Sequence, residues 1–232
     1  MGSCDIDGHS RRLRSSCASM ELARFRRSQA MGFYQDRVVP HLVNWSMRNR
    51  QLAPYRERVL TQAAGRVLEI GVGSGVNLPR YTDRANEVLG LDPHPKLLAM
   101  AAGKKYRVPT KLIEGSAESI PLDDSSVDTV VTTWTLCTVP DVAKALAEMK
   151  RVLRPDGQLL FVEHGLAPDQ AVRNWQSWLN PVWKKIAGGC HLNRPIADLL
   201  KAADFRVSRL DTSYMRGPKP MTFMYEGVAR PT

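Results

Sequence analysis

Apolar residues along this chain fall into short runs separated by polar, Gly- or Pro-bearing stretches. Val67-Leu68-Glu69-Ile70 breaks into Gly71, Gly73 and Gly75 at alternate positions, with an amphipathic segment after them. This pattern predicts a buried strand, a tight turn and a helix. Val88 to Asp92 reads as a second buried strand ending in an acid, Thr110 to Glu114 as a third, Val127 to Thr133 as a fourth and Gln158 to Glu163 as a fifth. Helical patterns run from Pro95 to Ala102 and from Val142 to Leu153, the latter closed by Arg154-Pro155-Asp156-Gly157. Strands alternating with helices of this length predict βαβ units and a parallel sheet with right-handed crossovers. Further on, Trp175, Trp178, Leu179, Val182, Trp183 and Ile186 recur at helical spacing. They predict a helix packed on the sheet, with a kink or turn at Pro181; tryptophans in this number also suit an interfacial belt or an apolar substrate pocket. Ile196 to Ala203 reads as another helix, and Arg206 to Leu210 and Thr222 to Val228 as two more strands.

Ahead of the first strand, the apolar positions Leu42, Trp45, Leu52, Tyr55, Val59 and Leu60 predict one or two helices over 31–66. This segment reads as a cap on the sheet or a lid, with Tyr34 as the residue placed to touch a ligand. Residues 1–30 hold Arg11, Arg12, Arg14, Arg24, Arg26 and Arg27 among several serines, with no apolar centre of a secretory signal. They read as a basic, disordered arm or a start-site extension; a transit peptide and an arm touching anionic lipid or nucleic acid are open alternatives. The expected organisation is that arm followed by a single domain over 31–232.

Composition narrows this picture. A length of 232 residues and an apolar fraction of 43% suit one folded domain. No stretch approaches the ~18 apolar residues of a membrane-spanning helix. Net charge is +10, yet residues 1–66 alone carry +7, leaving +3 for the rest. A nucleic-acid enzyme would carry its excess on the catalytic body, so nucleic acid is not the expected partner. Cys4, Cys17, Cys137 and Cys190 show neither CxxC nor paired spacing. This suits a reducing, cytoplasmic setting with buried structural cysteines, and no metal constellation is expected.

The glycine loop fits neither common phosphate motif. Val76 stands where a dinucleotide fingerprint needs its last glycine, and no Gly-Lys-Ser/Thr follows. Glu69 directs an acid toward the ligand, which suits a cationic group rather than a pyrophosphate. Asp92, about 20 residues on, stands where an acid accepts hydrogen bonds from ribose hydroxyls. A nucleoside with a ribose diol and a positive, phosphate-free tail satisfies these features, and S-adenosylmethionine is such a ligand.

With Gly90-Leu91-Asp92-Pro93, Gly115-Ser116-Ala117-Glu118-Ser119-Ile120-Pro121-Leu122 and Arg151-Val152-Leu153-Arg154-Pro155-Asp156-Gly157 in this order, the chain resembles class I S-adenosylmethionine-dependent methyltransferases over roughly 65–165. The resemblance implies a Rossmann-like α/β fold, with a seven-stranded sheet whose last strand is antiparallel and helices on both faces. It makes 67–165 the cofactor-binding half and 166–232 the substrate side. Gly71, Gly73 and Gly75 would line the methionine part, and Asp92, followed by Pro93, would hold the ribose. Ser116 and Ala117 would border the adenine, and Thr133 would face the cofactor. Members of the family often carry Asp where Ser116 stands, which shifts adenine recognition toward Glu118. Thr135-Leu136-Cys137-Thr138-Val139, Phe161-Val162-Glu163-His164 and Gly189-Cys190-His191-Leu192-Asn193-Arg194 are similar to a group near the ubiquinone/menaquinone methyltransferases that includes thiol S-methyltransferases.

The sulfonium methyl of such a cofactor is already electrophilic, so the protein must align an acceptor and manage its proton. His164, just past the fifth strand with Glu163 beside it, is the expected base; His191 is a weaker candidate. The acceptor reads as small and rather apolar, a thiol being one choice. A phospholipid amine, a quinone-precursor carbon, and a cofactor-binding regulatory or RNA-associated protein without turnover are the alternatives. Peripheral membrane contact through the basic arm and the Trp-rich segment is a further expectation.

Overall fold

The computed structural model describes residues 46–232. The basic arm, Tyr34 and the first part of the expected cap lie outside the described residues. Seven strands form one sheet: β1 (Gly65–Ile70), β2 (Ala85–Asp92), β3 (Thr110–Glu114), β4 (Val127–Thr133), β5 (Leu153–His164), β6 (Phe205–Tyr214) and β7 (Phe223–Pro231). Their order is β3-β2-β1-β4-β5-β7-β6. β1 through β5 pair in parallel, and β7 pairs antiparallel with both β5 and β6. The sheet is therefore the one expected, with the last strand reversed.

The strands alternate strictly between two apolar layers, as a period of two requires. Leu68 and Ile70 of β1, Leu89 and Leu91 of β2 and Leu159 and Phe161 of β5 enter one core with Leu146 and Met149. Val67, Val88, Leu160 and Val162 enter the other with Val59, Leu60 and Leu98. Helices α1 (Ala53–Leu60) and α2 (Pro95–Ala102) cover this second face. Helices α3 (Val142–Val152) and α5 (Ile196–Ala202) cover the first. α3 begins at Asp141, whose side chain caps the Lys144 N–H at 3.0 Å. Each fully buried Leu, Ile or Val on these faces is worth roughly 1.5–3 kcal/mol of transfer free energy.

Three departures from the expected elements matter. The segment after the glycine loop forms a single 3-10 turn, Leu78–Arg80, and not a helix. The turn ends where Tyr81 takes extended backbone, and the Asn77 side chain is drawn inward to Glu69. β5 starts at Leu153, and Arg154-Pro155-Asp156-Gly157 falls inside it as an irregularity, the pairing with β4 passing from Leu153 opposite Val127 to Gln158 opposite Thr129. Helix α4 (Gln170–Ile186) runs through Pro181 without a break. The proline costs one backbone bond, to the Ser177 carbonyl, on a largely exposed helix.

The packing of α4 also differs from expectation. Val172 and Gln176 form its buried side, while Trp175, Trp178, Val182 and Ile186 face solvent. Gln176 anchors the helix by accepting the Ala167 N–H and donating to the Gly165 and Pro220 carbonyls. Among the described residues no helix is long and apolar enough to cross a membrane.

Candidate functional site at the carboxyl edge of the sheet

Parallel strands bring their carboxyl ends to one edge, and every cofactor position expected from the sequence lies at such an end. The glycine loop follows β1, Asp92 ends β2, Ser116–Glu118 follow β3, and Thr133 ends β4. Gly71, Gly73 and Gly75 all take positive φ, at 71°, 54° and 73°. Their surroundings separate them. A Cβ on Gly71 would meet Thr135 Oγ1 at 2.4 Å, and one on Gly75 would meet Tyr106 and Leu78. A Cβ on Gly73 would enter open space, with nothing nearer than the Gly71 carbonyl oxygen at 3.9 Å. Gly73 is thus the position where a ligand can lie against bare backbone.

Asp92 is buried and already binds the loop. Its Oδ2 accepts the Gly73 N–H at 3.0 Å and its Oδ1 accepts the His94 N–H at 2.8 Å. A carboxylate has about four lone-pair sites, so acceptor capacity remains for a ribose diol. Ser116 Oγ accepts the Glu118 N–H, and Pro93 is exposed next to Asp92. Glu118 Oε1 accepts the Asp141 N–H at 2.7 Å, which ties it to the start of α3. Ala117 is buried against Ile120 in the first core.

Glu69 is almost fully buried and sits inside a network the sequence did not reveal. Its Oε1 accepts from Asn77 Nδ2 at 2.7 Å and its Oε2 from the Tyr81 hydroxyl at 2.9 Å. Asn77 Nδ2 also donates to Thr133 Oγ1 at 2.9 Å, so Thr133 completes this network. Burial pushes the Glu69 carboxyl up to about 7, against the pull of Asn77 and Tyr81. Buried Arg56 lies over the Trp134 ring, and burial, followed by the charge of Arg80, lowers its guanidinium to about 10. The side-chain Oδ1 of Asn77 and Arg56 Nε are buried without a partner. An orphaned acceptor beside a buried carboxylate is what an incoming ammonium group would satisfy. The site therefore fits a cationic amino-acid tail next to an adenosine. Asn77, Tyr81 and Arg56 escaped the sequence reading because no motif spacing marks them.

At the other side of this edge, Glu163 is fully buried. It accepts the backbone N–H groups of Thr135, Leu136 and Cys137 at 3.0, 3.1 and 3.4 Å. Burial pushes its carboxyl up to about 7, and the N–H groups of Thr135 and Leu136 oppose that rise. It clamps the loop after β4, and its charge also acts on the His164 imidazole. Buried Arg194 bonds the Leu136 carbonyl, and the His191 N–H donates to the Cys137 carbonyl at 2.8 Å. His191 therefore serves the same loop.

His164 Nε2 lies 2.7 Å from Cys190 Sγ, which lies 3.7 Å from Cys137 Sγ. The cysteines expected to be isolated structural residues thus meet at the expected base. The hydrogen bond between the two thiols, followed by that to His164, holds the Cys190 thiol below its usual range. The same bond, together with burial, pushes Cys137 well up. Burial lowers the His164 imidazole, but Cys190 and Glu163 outweigh it and leave it raised.

A seven-stranded sheet of this order, with a glycine loop, a strand-end acid and a buried carboxylate at its carboxyl edge, defines a nucleoside-binding protein of the methyltransferase class. The methyltransferase domain family matches residues 68–161. The human thiol S-methyltransferase TMT1B is 35% identical over 176 residues, covering 72% of this chain and 70% of that protein. Human TMT1A is 33% identical over 159 residues, covering 66% of this chain and 64% of that protein. Among solved structures, an S-adenosylmethionine-dependent methyltransferase of Thermotoga maritima shares the fold, with a TM-score of 0.61 at 20% identity, covering 87% of this chain and 99% of that one. The chain belongs to the S-adenosylmethionine-dependent methyltransferases, in the family of these relatives, and transfers a methyl group to a small acceptor.

Proposed function

We propose that the acceptor is a thiol and that the chain is a thiol S-methyltransferase. The observation that carries this reading is the His164 ring at the carboxyl end of β5, already paired with a sulfur, Cys190 Sγ, at 2.7 Å. A thiol is a poor nucleophile until deprotonated, and this corner of the edge is built to favour an anionic sulfur. The thiol-methylating activity in the names of the relatives supports the same reading.

S-adenosylmethionine, when bound, supplies an electrophilic sulfonium methyl group and departs as a neutral thioether. In this reading the loop of Gly71, Gly73 and Gly75 lines its amino-acid part, with bare backbone at Gly73, and Glu69 with Asn77 receives the ammonium. Asp92 and Pro93 hold the ribose, Ser116, Ala117 and Glu118 border the adenine, and Thr133 fixes Asn77. Glu163 and Arg194 hold the loop at 135–137 rigid, so the acceptor meets a preformed surface; such alignment can be worth ~7–11 kcal/mol. His164 is the group through which the acceptor thiol sheds its proton. The exposed Trp175, Trp178, Val182 and Ile186 beside Lys184 and Lys185 support peripheral contact with an anionic membrane.

A panel of alkyl thiols, aminoethyl lipids and quinols, read by S-adenosylhomocysteine release, tests the acceptor. Turnover of thiols is expected; turnover confined to the amines or quinols would overturn the thiol reading. Calorimetry with S-adenosylmethionine tests the cofactor residues. Asp92→Ala is expected to weaken binding at least about tenfold, as the loss of charge-assisted bonds worth ~1.5–3 kcal/mol each implies. Unchanged affinity in that variant would remove Asp92 from the site.

A further inference from the structure

Cys137, His164 and Cys190 are far apart in sequence, yet Cys137 Sγ, Cys190 Sγ and a ring nitrogen of His164 all lie within 4.8 Å of one another. Each comes from a different segment: the loop after β4, the end of β5 and the loop between α4 and α5. We propose that these three side chains form a site for a zinc-class divalent cation, one that leaves a fourth coordination position for an exogenous ligand.

The geometry supports this in three ways. Zinc bound to two thiolates at about 2.3 Å in a tetrahedral arrangement sets the sulfurs about 3.7–3.8 Å apart, and Cys137 and Cys190 stand at 3.7 Å. Two sulfurs and one imidazole are the soft and borderline donors that select zinc over magnesium or calcium. The surroundings suit two metal-bound thiolates as well. The Trp183 indole N–H is buried without a nitrogen or oxygen partner and lies beside Cys190, while the Arg194 charge lies near both sulfurs. Donors of this kind steady metal thiolates from the outer shell.

The loop carrying Cys137 is held from three sides, by Glu163, Arg194 and His191. This restraint gives the site a fixed shape before any ion arrives. The 2.7 Å approach of His164 Nε2 to Cys190 is a hydrogen bond. On metal entry it opens to the roughly 3.5 Å that tetrahedral angles require. The two thiol protons leave to solvent, and His164 ligates as neutral imidazole.

Three protein donors and one open position describe zinc sites that work on a bound ligand, whereas structural sites take four protein donors. Resting on the thiol reading above, the fourth ligand is the acceptor sulfur. With the ion bound, His164 no longer takes the acceptor's proton itself: coordination lets the acceptor lose that proton to solvent and holds it as a thiolate at the transfer edge. Thr135, two residues from Cys137, bonds the Ile70 carbonyl at the end of β1, so the ion site and the glycine loop share one wall.

The test uses the full chain, reduced, stripped with a chelator and titrated with Co2+. One equivalent is expected to bind, with a thiolate-to-cobalt charge-transfer band and the intense visible bands of a tetrahedral ion. As purified without chelator, the protein is expected to carry about one zinc per chain by elemental analysis. Cys137→Ser and Cys190→Ser should each weaken the charge-transfer band. Each should also lower affinity by more than the roughly 10- to 100-fold that loss of an outer-shell partner costs. His164→Gln should lower affinity while keeping the two-thiolate band.

Zinc should also protect both cysteines of the unaltered protein from alkylation, read peptide by peptide. This arm stands even if a variant fails to fold. No binding at equimolar cobalt together with no protection by zinc overturns the site, as does binding that all three variants leave unchanged. Adding an alkyl thiol to the cobalt form should strengthen the charge-transfer band. An unaltered band overturns the acceptor step alone. None of these readouts needs turnover, so failure of the metal site and failure of the thiol assignment are separable.

Discussion

Gly71 and Gly73 are two residues apart, share positive φ, and should respond very differently to a single added methyl group. At Gly71, alanine brings its Cβ to 2.4 Å from Thr135 Oγ1 and 2.8 Å from Thr135 Cγ2. Thr135 cannot turn away cheaply, because Oγ1 bonds the Ile70 and Thr133 carbonyls at 3.1 and 3.2 Å in a buried setting. Left-handed backbone costs about 1–2 kcal/mol for a residue with a Cβ, and overpacking adds about 1–3 kcal/mol. Gly71→Ala should therefore lose roughly 2–5 kcal/mol, a fall in Tm of roughly 4–20 °C for a domain of this size. At Gly73 only the backbone cost applies, since the new methyl enters open space. The loss is about 1–2 kcal/mol, or roughly 2–8 °C. That methyl, however, takes the volume the cofactor would fill, so Gly73→Ala should lower S-adenosylmethionine affinity at least about tenfold while the protein stays folded. Thermal melts and calorimetry on both variants measure the two effects. If Gly73→Ala binds the cofactor as the parent does, or if Gly71→Ala melts no lower than Gly73→Ala, the division of labour between the two glycines is wrong.

The buried carboxylate of Glu69 makes stability depend on pH. Its pKa rises from 4.5 to about 7 on folding, so the folded state holds the proton more tightly. Its contribution is fully present below pH 4.5 and is lost as pH rises through about 7, with a span of about 3 kcal/mol. Glu69→Gln should flatten the fall in Tm between pH 4.5 and 8 by about half, because Glu163 titrates with the same sign; an unchanged slope would refute the assignment. Trp178 is 70% exposed and touches Trp175 edge-on at 5.6 Å. Trp178→Ala should leave stability within about 0.5 kcal/mol while reducing sedimentation with anionic vesicles. A large drop in Tm would mean that this face is packed, and unaltered sedimentation would remove it from membrane contact.

What the sequence disclosed depended on how local each feature is. The glycine loop and Asp92 were legible because a strand end and the turn after it are consecutive in the chain, and parallel pairing of β1 with β2 brings the two ends together. β3, β4 and α2 fall at their expected bounds for the same reason: each is a run of apolar residues with a sharp break on either side. The partners of Glu69 were not legible. Asn77 and Tyr81 reach it from the two ends of the 3-10 turn Leu78–Arg80, which stands where a helix was expected.

The cluster of Cys137, His164 and Cys190 is less local still. Two members come from adjacent strand ends, β4 and β5, paired through Thr133 and Val162. The third arrives when the loop after α4 folds back and donates the His191 N–H to the Cys137 carbonyl. No CxxC spacing could announce that arrangement, so cysteine spacing alone argued against a metal where the fold assembles three donors.

Helix α4 shows the complementary failure. Its period was right and its direction wrong, because apolar periodicity assumes that the apolar side is the buried one. Here Gln176 supplies the inward anchor by satisfying three backbone groups, at Gly165, Ala167 and Pro220. The Trp-bearing side is left facing out. A buried polar anchor of this kind reverses the usual inference: the exposed tryptophans are surplus to the core, and their reason must be sought in what the enzyme meets outside it.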